Sequence, residues 1–149
     1  MFTGDTVFVG GCGKFFEGEA TQMLNNMDLF TGVPGSNDPF FPDDTRLFVG
    51  HEYAVQNLQF SLQVLADTDS DQKEITRMWL EKFRENHHQE HEIPSVPSIL
   101  AKEKEYNLFM MCREKWLQDL IKVYDPVLLM HILREWKNDK KKPGTHVFS

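Results

Sequence analysis

The stretch MFTGDTVFVGGCGKFFEG (Met1–Gly18) decides how the rest of the chain is read. Asp5 stands beside Gly4, the apolar run Val7–Val9 follows, and a glycine-rich turn carrying Lys14 comes next. Glycine tolerates positive φ and lets a backbone come close to a ligand, so the pattern reads as a strand followed by a purpose-built turn. Val7–Val9, bounded by Gly4 and by Gly10 and Gly11, has the composition of a short buried strand.

Outward from this stretch, strand and helix alternate. Glu17 to Phe30 reads as a helix, with Ala20, Met23, Leu24, Met27 and Phe30 on one apolar face. The Gly-, Pro- and Asp-rich segment TGVPGSNDPFFPDD breaks it. Thr45–Val49 reads as a second strand that stops at Gly50 and His51. Ala54 to Leu65 reads as a helix whose Val55, Leu58, Leu62 and Leu65 share a face. After Ala66 the pattern predicts helices only. One has Asp71 as its cap, with Glu74 three residues on, and runs through Ile75, Met78, Trp79 and Phe83 to about Asn86. Two more span about Phe109–Val123 and Pro126–Asn138, the last with Asp125 as cap and Pro126 in its first turn. The expected organisation is a β-α-β-α unit over residues 1–66 and a helical module over 67–149. Two strands cannot bury both faces of a sheet, and open edges invite pairing. A partner, or a missing N-terminal half, is therefore expected to complete the sheet.

Composition excludes several classes. With 149 residues, 40% of them hydrophobic, the chain can build one ordinary core. A net charge of −7 argues against a nucleic-acid binder, whose footprint is a basic patch. No apolar run approaches the ~20 residues that span a bilayer, so no membrane association is expected. Met1 leads into strand-like sequence with no basic n-region, so no secretory signal is expected. Two distant cysteines, Cys12 and Cys112, form no disulfide framework and suit a reducing compartment.

Two pairs could carry chemistry. Asp5 and His51 hold equivalent places, each in a turn at a strand end beside a glycine, and both residue types ligate zinc, iron or manganese. A turn-capping Asp and a hydrogen-bonded loop His explain the same spacing. Arg134 and Lys137, at i and i+3, share a helix face and could converge on one anion. A solvated basic face at a helix C-terminus explains them equally well. His87, His88 and His91 read as a polar loop rather than a metal site. Neither cysteine has an acid–base partner nearby in sequence, and GCGKFFEG lacks the Walker spacing of a phosphate loop.

Read in order, FTGDTVFVGGCGKFFEG, PDDTRLFVGHEYAVQNLQF, VPSILAKEKEYNLFM and DPVLLMHILREWK resemble the C-terminal half of hydroxyacylglutathione hydrolase (glyoxalase II), of the metallo-β-lactamase superfamily. The resemblance covers nearly all of the chain. It implies an α/β fold, part of an αββα sandwich, followed by an all-helical C-terminal domain. It implies two-metal hydrolysis of S-D-lactoylglutathione to D-lactate and glutathione, in the cytosol or the mitochondrion. On that resemblance Asp5 bridges two divalent ions (zinc, iron or manganese) and His51 ligates one of them. The glutathione part of the substrate falls to Lys14, Tyr53, Arg134 and Lys137, with Phe15 and Phe16 of the GCGKFF turn in the same set.

The sequence departs from the family pattern in places. Phe16 stands where the family usually has tyrosine, NLFMM replaces the usual NPFMR, and the loop before Thr45 looks longer. The family's T-H-x-H-x-D-H motif, and a further histidine before GDT, have no counterpart downstream of Met1. Two ligands cannot satisfy two ions that each need at least four. The 149-residue chain is therefore expected to lack hydrolase activity on its own. The alternative is a non-catalytic truncated module that binds glutathione derivatives or a protein partner.

Overall fold

The computed structural model describes residues 1–15, 19–32, 40–87 and 94–139. β1 (Phe2–Gly4) and β4 (Arg46–Val49) pair in parallel, Phe2 opposite Phe48 and Gly4 opposite Val49. β5 (Ser98–Ile99) joins the far side of β4 in antiparallel sense, giving the order β1-β4-β5. This third strand corrects the expectation of helices only after Ala66. Pro97 lacks an amide hydrogen and has a fixed φ, so the chain approaches β4 extended rather than helical. Leu100 N–H then donates to Thr45 O at 2.9 Å and locks the segment in place.

The apolar run forms a separate hairpin. β2 (Val7–Phe8) pairs antiparallel with β3 (Gly11–Cys12), turning at Val9–Gly10. Gly10 has φ of 69°, and a Cβ there would lie 2.8 Å from Leu58 Cδ2. Both the left-handed backbone and the close approach of helix α2 (Ala54–Val64) require glycine at this position.

Helix α1 (Ala20–Thr31) buries Ala20, Met23, Leu24, Met27 and Phe30, the face that the periodicity predicts. Its N-terminus is a capping box in which Glu19 and Gln22 satisfy each other's backbone amides. In α2 the buried face is rotated from the expected one: Leu58 is buried, but so are Asn57, Phe60 and Ser61, while Val55 and Leu62 are only partly covered. The cause is double packing, against α3 (Asp71–His87) on one side and the hairpin on the other. The cap of α3 is Ser70, whose hydroxyl and carbonyl accept from Lys73 N–H. Asp71 is the first helical residue rather than the cap.

The C-terminal module contains α4 (Leu100–Tyr106), which the sequence pattern did not predict, then a 3-10 turn (Leu108–Met111), α5 (Lys115–Ile121) and α6 (Pro126–Asp139). The single helix expected over Phe109–Val123 is divided at Cys112–Glu114. There Arg113 reaches back with Nε and Nη2, each 2.7 Å from one oxygen of the buried Asp28 carboxylate on α1. A bidentate pair of this kind fixes orientation as well as adding energy. Helix α6 starts as predicted: Asp125 Oδ1 accepts from Val127 and Leu128 N–H, with Pro126 in the first turn.

Two apolar clusters flank the hairpin. The larger gathers Val7, Cys12, the α1 face, the 3-10 turn, Leu117 and α6 residues Leu129, Met130 and Leu133. The smaller gathers Val9, Leu58, Trp79, Leu80, Phe83 and Tyr106. Each fully buried aliphatic or aromatic side chain here contributes about 1.5–3 kcal/mol. The architecture is α/β with a helical C-terminal portion, and it hangs on a four-residue hairpin and its turn.

Candidate functional site

Parallel pairing of β1 with β4 sets two residues side by side. Gly50 N–H donates to Gly4 O at 2.9 Å, and the chain leaves both strands at the same end. Asp5 Oδ1 and His51 Nε2 are 3.6 Å apart, with both side chains more than half exposed. A Cβ on Gly50 would lie 2.6 Å from Asp5 Oδ1 and 3.2 Å from Gly4 O, so a larger residue would displace the carboxylate from its present position. The His51 ring stacks on Tyr53 (centroids 5.1 Å apart, 13° between planes), and Phe8 meets both rings edge-on. Glu52, between them, turns away and accepts from Ser95 Oγ and Val96 N–H.

A cleft of about 630 Å³ runs from Phe8 and Tyr53 along α2 to α6. Four of the residues singled out from the sequence line it: Lys14, Tyr53, Arg134 and Lys137. They come from the β3 end, the start of α2 and the last helix, so only folding brings them together. Phe15 is placed differently, packed partly buried against the larger cluster. Phe16, His88 and His91 lie outside the described residues.

The two α6 cations are not a solvated face. Arg134 is 4% exposed. Its Nη1 donates to Cys12 O at 2.7 Å, its Nε to Asn138 Oδ1 at 3.1 Å, and the guanidinium lies 5.8 Å from the Phe109 ring centroid. Lys137 donates to Asn57 Oδ1, and its ammonium lies 5.9 Å from the Phe60 ring centroid. Burial, reinforced by the Arg134 charge, pulls the Lys137 pKa down to about 8. Burial pushes the Cys12 thiol up to about 11 and raises that of Cys112 as well, so both are held protonated and unreactive.

Sequence reasoning missed a set of buried polar groups that grip the hairpin turn. Glu103 Oε2 accepts from Gly10 N–H at 2.9 Å, and Asn57 Nδ2 donates to Val9 O at 2.8 Å. Asn107 Nδ2 reaches Gly11 O at 3.1 Å and Phe8 O at 3.4 Å. With the Arg134–Cys12 bond, five consecutive residues of the turn are each held by a side chain from α2, α4, α6 or Asn107. All of these bonds except Asn57–Val9 cross from residues 1–66 to residues 67–149. Glu103 also accepts from Tyr106 Oη at 2.7 Å and is wholly buried, and burial raises its pKa above the usual 4.5. The fold thus favours the protonated carboxyl. Its contribution is fully present below the ordinary glutamate pKa and is lost as pH rises through the elevated one. For Asn57 a signal existed, since it lies on the line Ala54–Asn57–Ser61 one helical row from Leu58. Glu103, inside AKEKEYN, gave none.

The fold and site together define an acid–imidazole pair at adjacent strand ends, beside a groove lined by a buried arginine, a partly buried lysine and an exposed one. The chain belongs to the hydroxyacylglutathione hydrolase family: the family model described as the hydroxyacylglutathione hydrolase C-terminus matches residues 52–140. A hydroxyacylglutathione hydrolase-like protein of Gallus gallus is 37% identical over 143 residues, covering 96% of this chain and 46% of the relative. The cytoplasmic hydroxyacylglutathione hydrolase of Arabidopsis thaliana is 34% identical, covering 93% of this chain and 48% of the relative. That of Nostoc punctiforme is 35% identical with the same coverage. The chain spans about half the length of the curated relatives it matches. No helix among the described residues is long and apolar enough to cross a membrane.

Proposed function

We propose that this chain carries the thiol-carrier cleft and two of the metal ligands of a hydrolase that converts S-D-lactoylglutathione to D-lactate and glutathione. One observation carries the reading: Lys14, Tyr53, Arg134 and Lys137 face a single cleft, and Tyr53 joins that cleft to the Asp5–His51 pair. A glutathione thioester has carboxylates on its peptide part and the acyl carbonyl at the sulfur. Laid along α2, it meets the cations with its carboxylates and directs the thioester toward Phe8, Tyr53 and the strand ends. Lys137 offers a partly desolvated ammonium, so pairing with a carboxylate recovers more than at a fully exposed site. Arg134 lies behind Lys137 and holds the turn that presents Lys14.

Carboxylate and imidazole donors 3.6 Å apart and open to solvent suit divalent metal ions, which Asp5 and His51 would help to hold. No group of three or more potential ligands occurs among the described residues, so the reading requires further ligands from outside them. Bound there, divalent ions would lower the pKa of water and polarise the thioester carbonyl. On this reading the β1-β4-β5 sheet is part of an αββα sandwich.

Calorimetric titration of the 149-residue chain with S-methylglutathione tests the cleft. Saturable binding is expected, and Lys14→Ala weakens it roughly tenfold, the worth of one exposed charge-assisted hydrogen bond. Absence of binding up to ~10 mM ligand, with the chain folded by circular dichroism, would rule the reading out.

A further inference from the structure

Asn57 is 1% exposed and sits where hairpin, α2 and α6 meet. Its two polar ends are committed in opposite directions. Val9 O can only accept, so the Asn57 amide must turn its Nδ2 donor toward it, at 2.8 Å. Oδ1 is thereby forced to the cleft side, where it receives the Lys137 ammonium. No rotation about the amide satisfies both partners the other way round. We propose that Asn57 is a positioning residue: its amide, oriented by Val9, holds the Lys137 ammonium against the cleft wall with its remaining donors directed at the ligand carboxylate.

The proposal rests on the glutathione-type reading of the cleft and extends it to a residue that contacts no reacting atom. An uncharged acceptor suits the task. A carboxylate at this position would neutralise Lys137 in the empty cleft and compete with the ligand. A hydrocarbon would leave both the ammonium and Val9 O without a partner. The groups facing Lys137 are Arg134 on its own helix, Cys12 on β3, and Asn57 and Phe60 on α2, with Lys14 and Tyr53 lining the same cleft. Burial holds the Cys12 thiol protonated and brings the Lys137 pKa down to about 8, so the Lys137 charge changes in this range. Its charge is lost as pH rises through about 8, and affinity for a carboxylate ligand falls with it.

The test is the titration of the Lys137 ammonium, followed by NMR of its 13Cε signal in the ligand-free chain. In the unsubstituted chain the midpoint is expected near 8. Asn57→Asp moves it upward by at least about one unit, because an anion now faces the ammonium, and Asn57→Leu moves it downward. Shifts of opposite sign are not produced by loosened packing. An unmoved midpoint in a folded Asn57→Asp variant overturns the proposal. Calorimetry with S-methylglutathione at pH 7 and pH 9 supplies the second arm. The unsubstituted chain is expected to lose roughly tenfold in affinity over this interval, and the Asn57→Asp variant to bind more weakly but with little pH dependence. If that ligand fails to bind while the NMR shifts occur, the reading of the cleft fails and the role of Asn57 stands. If the ligand binds and the midpoints coincide, the reverse holds.

Discussion

Asn107→Ala is expected to destabilise the chain by about 3–4 kcal/mol, near the top of what a single substitution does. Asn107 is wholly buried, and four groups depend on it. Its Nδ2 serves Gly11 O at 3.1 Å, Phe8 O at 3.4 Å and Glu103 Oε2 at 3.1 Å, and its Oδ1 caps Phe109 N–H at 3.2 Å. Each group left buried without a partner costs about 1–3 kcal/mol, and these losses overlap because they share one amide. Asn107→Asp is expected to be worse at neutral pH, since it buries a carboxylate and replaces the donor that faces the Glu103 carboxyl and two carbonyls with an acceptor. Urea midpoints for the three proteins decide the matter. A loss under ~1 kcal/mol for the alanine variant would mean that the turn holds itself without its clamp.

The second large effect is at Arg134, where stability and binding should fall together. Arg134→Met keeps the stem and removes the fork. The Cys12 carbonyl loses its 2.7 Å donor, and the turn bearing Lys14 loses its tie to α6. A loss of about 2–3 kcal/mol in stability and roughly a hundredfold in affinity for S-methylglutathione is expected, one part from the missing cation and one from the displaced turn. Arg134→Lys should recover little of either. An ammonium cannot hold Cys12 O and Asn138 Oδ1 at once in the plane that the guanidinium uses. If Arg134→Lys matches the unsubstituted chain in both measurements, charge alone matters at this site and the bracing role is wrong.

What the sequence displays and what it hides follow one physical division. Asp5 and His51 are legible as turn residues beside a glycine, but the strand that Asp5 follows, β1, is three residues long and was not expected; its parallel pairing with β4 is what brings the two together. The faces of α1 and the start of α6 are legible because periodicity and capping are local. The split of the expected Phe109–Val123 helix is not local: Arg113 leaves the helical path for Asp28, 85 positions away. β5 is two residues long and is made by its partner strand rather than by its own composition. Glu103 and Asn107 belong to residue types that ordinarily read as solvated, and Asn57, though in line with Ala54 and Ser61, is polar as well. Only the arrival of the hairpin backbone, with carbonyls and an amide to satisfy, turns them into interior groups. The Arg134–Lys137 spacing showed that two cations share a face, but their burial depended on Cys12, Asn57 and Phe60 closing over them.

The clamped turn also bears on how the molecule opens. Turns are usually where amide hydrogens exchange first, because their backbone groups face water. The Gly10 amide is instead bonded to a carboxyl with no exposed surface, between two apolar clusters. It should exchange with deuterium as slowly as amides in the middle of α6, only when the whole chain unfolds, and well after those of the exposed β1 edge. Breathing of the cleft must then come from α2 and α6 parting around a fixed turn. A ligand that bridges those two helices would slow exchange along both of them and leave Gly10 unchanged.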